Sequence, residues 1–171
     1  MHTLIRMLGG LLIASVLGIG VLLIGARFSD GPLAIIAGGA FTTGQLVTDP
    51  VRDWSFIHDT REVEFQLLEP TRSRTTWIIE HKGKAYIPSG YMTTWWGKIW
   101  KKWPLEAEKD GRILLRVDGK IYERRLVRVE SGPLLAPLTA ELSRKYTGGG
   151  TAIPVEAVTS GYLWLFELAP R

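Results

Sequence analysis

The chain has 171 residues, 46% of them hydrophobic and 22% charged, with a net charge of +4. That is apolar content for one packed domain with an appendage, and it excludes a disordered chain. The absence of cysteine excludes disulfides, thiolate metal sites and cysteine nucleophiles, and so small a net charge does not point to nucleic acid.

No charged residue occurs from Met7 to Ala26, a run bracketed by Arg6 and Arg27 whose strongest polar side chain is Ser15. Twenty helical residues rising about 1.5 Å each cover about 30 Å, the hydrocarbon thickness of a bilayer. The expectation is a single-pass transmembrane anchor over 1–28. The competing reading is a cleaved signal peptide, against which Ile24-Gly25-Ala26 puts a bulky residue where a small one is wanted. The amine, His2 and Arg6 against Arg27 lean, by the positive-inside rule, toward the soluble part on the outer face (of the inner membrane in a bacterium), and one arginine on each side leaves both orientations open. Gly10, Ala14 and Gly18 recur every four residues, a spacing that lets membrane helices approach and is also common in such helices.

Residues 29–48 are rich in glycine and alanine and read as a linker, leaving 49–171 as the folded domain. Trp54-Ser55-Phe56 reads as a short first strand. From Glu62 to Leu68 the chain alternates, with Val63, Phe65 and Leu67 on one face and Glu62, Glu64 and Gln66 on the other. A period of two predicts a strand with one buried face, stopped by Pro70. Thr75–Glu80 and Lys84–Ile87 read as strands joined around Lys82-Gly83. Thr94–Lys109 reads as a helix interrupted at Pro104. Arg112–Val117 and Lys120–Val129 read as a hairpin, because Asp118-Gly119 suits a type I′ turn. Pro133–Tyr146 reads as a helix, with Leu134, Leu135, Leu138 and Leu142 at helical spacing, and Tyr162–Leu168 as a last strand. About six short, mostly antiparallel strands and two helices predict a mainly β (α+β) domain closed as a small barrel.

Acid–base and metal chemistry find little support. The three histidines are scattered: His2 precedes the apolar run, His81 sits at a hairpin tip, and His58 is a lone ligand or base beside Asp59. No HExxH, GxSxG, GxGxxG or P-loop motif is present. More suggestive is the stretch Pro70–Trp103. Arg72 and Arg74 stand among Thr71, Ser73, Thr75 and Thr76, and arginine forks with neutral donors suit a phosphate. The plain alternative is a solvated turn. Lys98, Lys101 and Lys102 share a helix face with Trp95, Trp96, Trp100 and Trp103 nearby. Such a helix suits a flat anionic ligand, a buried face under a solvated one, or an anionic bilayer surface. Ten of the 21 basic residues fall between Lys98 and Arg128, against five acids.

The order of pieces from Glu62 to Val129 resembles the split β-barrel flavoproteins of the pyridoxamine-phosphate-oxidase-like class, in its deazaflavin-dependent nitroreductase-type branch. The matching pieces are EVEFQLL, TRSRTT, WIIEHKGKAYIP ending at Ser89-Gly90, the tryptophan/lysine helix with WKKWP, and DGRILLRVDGKIYERR. The turn lacks the glycine-rich GRxSG form of that class. The resemblance implies a six-stranded split barrel with two flanking helices, binding FMN or a deazaflavin. Its phosphate would meet Arg72, Arg74, Thr75 and Thr76, with Ser89 and Lys98 or Lys101 near. It further implies an oxidoreductase and a homodimer with the flavin between subunits. The other reading is a non-catalytic barrel that binds a lipid, haem or a partner protein at the membrane surface.

Overall fold

The computed structural model describes residues 2–171, apart from the side chains of residues 2–5 and of Lys98. The apolar run forms helix α1 (His2–Gly25), and Arg6–Phe28 is long and apolar enough to cross a membrane. The helix stays largely exposed up to Gly25, and packing begins at Ala26, which is buried, and at Arg27, whose carbonyl abuts Gly39.

Seven strands form one antiparallel path: β2 (Glu62–Leu67), β3 (Arg72–Trp77), β4 (Ile79–His81), β5 (Lys84–Ser89), β6 (Arg112–Val117), β7 (Lys120–Val129) and β8 (Trp164–Pro170). Their order is β3-β2-β6-β7-β8-β5-β4, and a two-residue strand β1 (Gln45–Leu46) pairs in parallel with β7. The two ends of the path, β3 and β4, are consecutive in the chain and separated by Ile78 alone. The sheet therefore curls until its edges meet at one broken segment, giving a mainly β split barrel with flanking helices. The expected six strands are eight. The extra ones are β1 and the division of Thr75–Glu80 at Ile78, with β3 beginning earlier, at Arg72.

The alternation of β2 works as expected: Val63, Phe65 and Leu67 line the interior with Leu115, Ile87 and Phe166. Burial of each large apolar side chain contributes about 1.5–3 kcal/mol. Gln66 points outward and is still buried, because the segment after α1 lies over it and the Phe41 N–H donates to its Oε1 at 2.6 Å. At the β6–β7 turn Asp118 and Gly119 have φ of 48° and 74°, the positive values a type I′ turn requires.

The aromatic helix divides in two. In α2 (Trp95–Trp100) the Thr94 hydroxyl accepts from the Gly97 N–H at 3.1 Å, capping the helix start. The break falls at Lys101-Lys102 instead of Pro104. Pro104 lies in the first turn of α3 (Trp103–Lys109), where a missing N–H costs nothing. Trp103 and Ala107 close the interior, with Trp103 edge-on to Phe65 at 4.9 Å. A second core lies outside the barrel, where Leu135, Leu138 and Leu142 of α4 (Leu135–Tyr146) cover Ile79, Tyr86 and Leu165. A short α5 (Glu156–Thr159) was not foreseen. Nor is Trp54-Ser55-Phe56 a strand. The Asp53 carboxylate accepts from the Ser55 N–H at 2.9 Å, which favours the 3₁₀ turn Ser55–Ile57 and lets Trp54 pack on Tyr122 at 5.1 Å.

The glycine- and alanine-rich segment is packed against the barrel. Asp30 accepts from the Thr42 N–H at 2.7 Å, from the Thr43 hydroxyl, and from Arg116 Nη1 at 3.0 Å. Arg116 of β6 also donates to Glu64 of β2 at 2.6 Å and lies 4.1 Å over the Phe41 ring. Gly38 bridges to Ser73 of β3. A Cβ at Gly38 would lie 1.7 Å from the Gly31 carbonyl oxygen, and one at Gly39 2.4 Å from that of Arg27, so the chain can cross itself here only as glycine.

Candidate functional site

Residues directly opposite across two strands share a face of the sheet. Arg72, Arg74 and Thr76 stand opposite Leu67, Phe65 and Val63, which line the interior, so all three sit on the inner face of β3. Ser73 and Thr75 point the other way. Ser73 is buried and its hydroxyl donates to the Gly39 carbonyl at 2.6 Å, while Thr75 is exposed. The stretch expected as a turn is thus an edge strand, because pairing with β2 satisfies its backbone. Its alternation removes Thr75 from the expected cluster.

Arg74 is four-fifths buried, with Nη2 3.7 Å from Glu106 of α3. That separation is too long for a hydrogen bond. Arg74 Nη1 and Glu106 Oε2 are both buried without a hydrogen-bond partner. Burial lowers the Arg74 pKa, Glu106 opposes this and Arg72 adds to it; a guanidinium remains charged regardless. Arg72 is lowered by burial and then by Arg27, and raised by Glu106. Two inner-face arginines therefore share one acid, and Arg27 from the end of α1 adds positive charge to the same place.

The other expected residues lie elsewhere. Ser89 ends β5, is buried, and its hydroxyl meets only the Met92 sulfur, at 3.5 Å. Lys101 lies 5.5 Å over the Tyr91 ring, and burial lowers its pKa. Tyr91 in turn packs on Trp96 at 4.7 Å and Tyr162 at 5.3 Å. The Lys98 side chain is outside the described residues. Among the described residues no hydrogen bond or ion pair joins Ser89 or Lys101 to the arginines. Glu106 went unforeseen, and no local pattern links it to Arg74, since folding alone brings α3 over β3.

His58 lies 3.3 Å from Glu80 through Nδ1 and 3.2 Å from Arg144 Nη2 through Nε2. With Arg144 donating to Nε2 and Nδ1 turned to a carboxylate, the ring is tied down on both sides and pins α4 to β4. His81 is half-buried, not a solvated tip, and its Nε2 is buried without a partner. A depression of about 430 Å³ beside Asp30, Glu64 and Arg116, one of about 500 Å³ along α4, and one of about 330 Å³ below α3 flank the barrel. None of the three is lined by Arg72, Arg74, Ser89 or Lys101. Among the described residues no group of three or more histidines and acids could hold a metal ion.

No family model and no curated protein matches the chain. Among solved structures it is similar to the conserved hypothetical protein Rv2991 from Mycobacterium tuberculosis, at 14% identity and a TM-score of 0.47, over 74% of this chain and 86% of that one.

Proposed function

We propose that the chain is a membrane-anchored split-barrel protein that binds a flat, phosphate-bearing ligand of the FMN or deazaflavin type and acts with it as an oxidoreductase. The observation that carries this reading is the buried, unpartnered Nη1 of Arg74. An unpaired buried donor on a charged group is costly, and an anionic oxygen satisfies it. Arg72 and the Thr76 hydroxyl share its face and serve as further donors to the same group. When bound, a flavin supplies the redox chemistry itself, and the protein supplies orientation and positive charge.

The full-length protein in detergent, titrated with FMN and with a deazaflavin, should quench ligand fluorescence. Arg74→Met should weaken binding by about 1.5–3 kcal/mol, the worth of a charge-assisted hydrogen bond. A colourless protein that quenches neither ligand sinks the reading.

A second reading has its own observation. Ser89 is sealed in the core, Thr75 faces outward, and Glu106 stands against Arg74. A flavin phosphate would have to displace or share that carboxylate. The same features suit a barrel without redox activity that works at the membrane surface on a lipid, haem or partner protein. Failure of both flavin titrations, with a cooperative unfolding transition retained, selects this reading.

A further inference from the structure

Outside α1, the five most exposed large apolar side chains are Phe28, Ile35, Trp95, Ile99 and Trp100, each at least 64% exposed. Two belong to the segment that leaves α1 and three to α2. These two regions are linked indirectly, through β3 and α3. The Arg27 carbonyl abuts Gly39, and the Gly39 carbonyl accepts from Ser73 of β3. Next along β3, Arg74 faces Glu106 of α3, and α3 follows α2 after two residues. The exit segment is itself held in shape. Leu33 and Ile36 exchange both backbone hydrogen bonds, at 3.0 and 2.9 Å, which leaves Ile35 82% exposed at the bend. Asp30 and Arg116 then lock the segment to the barrel.

On α2, Trp96 packs on Tyr91, while Trp95 and Ile99, four residues apart, project from one face with Trp100 beside them. Amphipathic tryptophan settles at the headgroup level of a bilayer, and flanking cations favour anionic lipid. Lys101 and Lys102 follow α2, and Arg27 and Arg72 lie at the anchor's exit.

We infer that the exposed face of α2, together with the Ile35 bend, rests in the headgroup layer of the same anionic bilayer that α1 crosses, so that the barrel is held on the membrane in one fixed attitude. This rests on α1 being a membrane span, and it is independent of any flavin. Two attachments joined by a rigid segment act as one, because the second forms at high effective concentration.

The chain has no cysteine, so single nitroxide labels can be placed without background. Full-length protein labelled at Ile99→Cys, Trp95→Cys, Ile13→Cys or Lys120→Cys is reconstituted in phosphatidylcholine vesicles with and without phosphatidylglycerol. Collision with oxygen and with a water-soluble nickel chelate is then measured. The inference expects labels at 99 and 95 to favour oxygen and to move deeper with phosphatidylglycerol, 13 to lie deepest, and 120 to favour nickel. Nickel preference at both 99 and 95 while 13 stays buried overturns the inference and leaves the anchor standing. Nickel preference at 13 removes the anchor itself and the inference with it. Dipolar broadening at 99 that disappears on dilution with unlabelled protein assigns the α2 face to a second copy of the chain and overturns the inference as well.

Discussion

The Lys145 ammonium donates to the Ile78 carbonyl at 2.9 Å, at the single residue where β3 gives way to β4. It also donates to the Ile57 carbonyl at 3.2 Å, and the Tyr146 hydroxyl accepts from the Ile78 N–H at 2.9 Å. The break in the barrel would leave the Ile78 N–H and carbonyl without sheet partners, and two adjacent residues at the end of α4 replace them. Lys145→Met should destabilise the protein by about 1.5–3 kcal/mol, the worth of a charge-assisted hydrogen bond, because the Ile57 carbonyl keeps the Thr60 N–H and the Ile78 carbonyl keeps the Tyr146 hydroxyl. Denaturant unfolding measures it, with the exposed Lys120→Met as an unchanged control.

Tyr146 makes stability depend on alkaline pH. Burial is the main cause that pushes its hydroxyl up to about 12, from the ordinary tyrosine value of about 10. The folded state thus keeps a proton that the unfolded chain gives up. This contribution is intact below pH 10 and lost as pH climbs towards about 12. Lys145 works in the opposite sense: burial lowers its pKa, so the unfolded chain holds the extra proton. Unfolding of wild type and Tyr146→Phe between pH 9 and about 12 should show a shallower alkaline decline in the variant. Parallel curves would remove Tyr146 from the account.

Asp30 should make the segment after α1 sensitive to acid. Hydrogen bonds from the Thr43 hydroxyl and the Thr42 N–H hold its carboxyl well below the usual range. A depressed folded pKa gives a contribution present above the unfolded value and lost as pH falls. Amide exchange at Thr42 and Thr43 should accelerate several-fold in Asp30→Asn at neutral pH, and should change little in Glu62→Gln.

Gly38→Ala should separate the segment from β3. The added methyl meets backbone, which cannot rotate away, and such overpacking costs about 1–3 kcal/mol. The Ser73 amide, which donates to the Gly38 carbonyl at 3.3 Å, should lose protection. Gly119→Ala is a poor substitute, because it strains a turn without touching this crossing.

Phe65→Ala should cost about 3–5 kcal/mol, because Phe65 is fully buried and closes on Trp103 of α3. It should also loosen α3 and so change the environment of Arg74. A variant that unfolds with unchanged midpoint would show that α3 does not depend on the barrel interior.

Local rules were legible where they act over a few residues. The alternation of Val63, Phe65 and Leu67 marked β2, and Asp118-Gly119 marked the β6–β7 hairpin because only certain residues take positive φ cheaply. The leucine spacing of α4 was equally clear. The candidate site was less so. Arg72 and Arg74 were singled out by composition, but their strand conformation depends on pairing with β2, which no local pattern encodes. Ser89 was named by the resemblance to the split-barrel class alone. Here Met92 and the barrel end cover it. Glu106 carried no signal, since its only distinction is where α3 lies.

The sequence by itself determined the apolar helix, the strand faces and the turn stereochemistry, because each follows from side-chain period, hydropathy or allowed φ. Tertiary structure alone decided three things. It set Arg72 and Arg74 inside with Thr75 outside, closed the barrel at Ile78 with groups from α4, and pinned the segment after α1 through Arg116. Each of these depends on partners far apart in the chain, brought together only when burial of the common interior offsets the entropy of closing the loops between them.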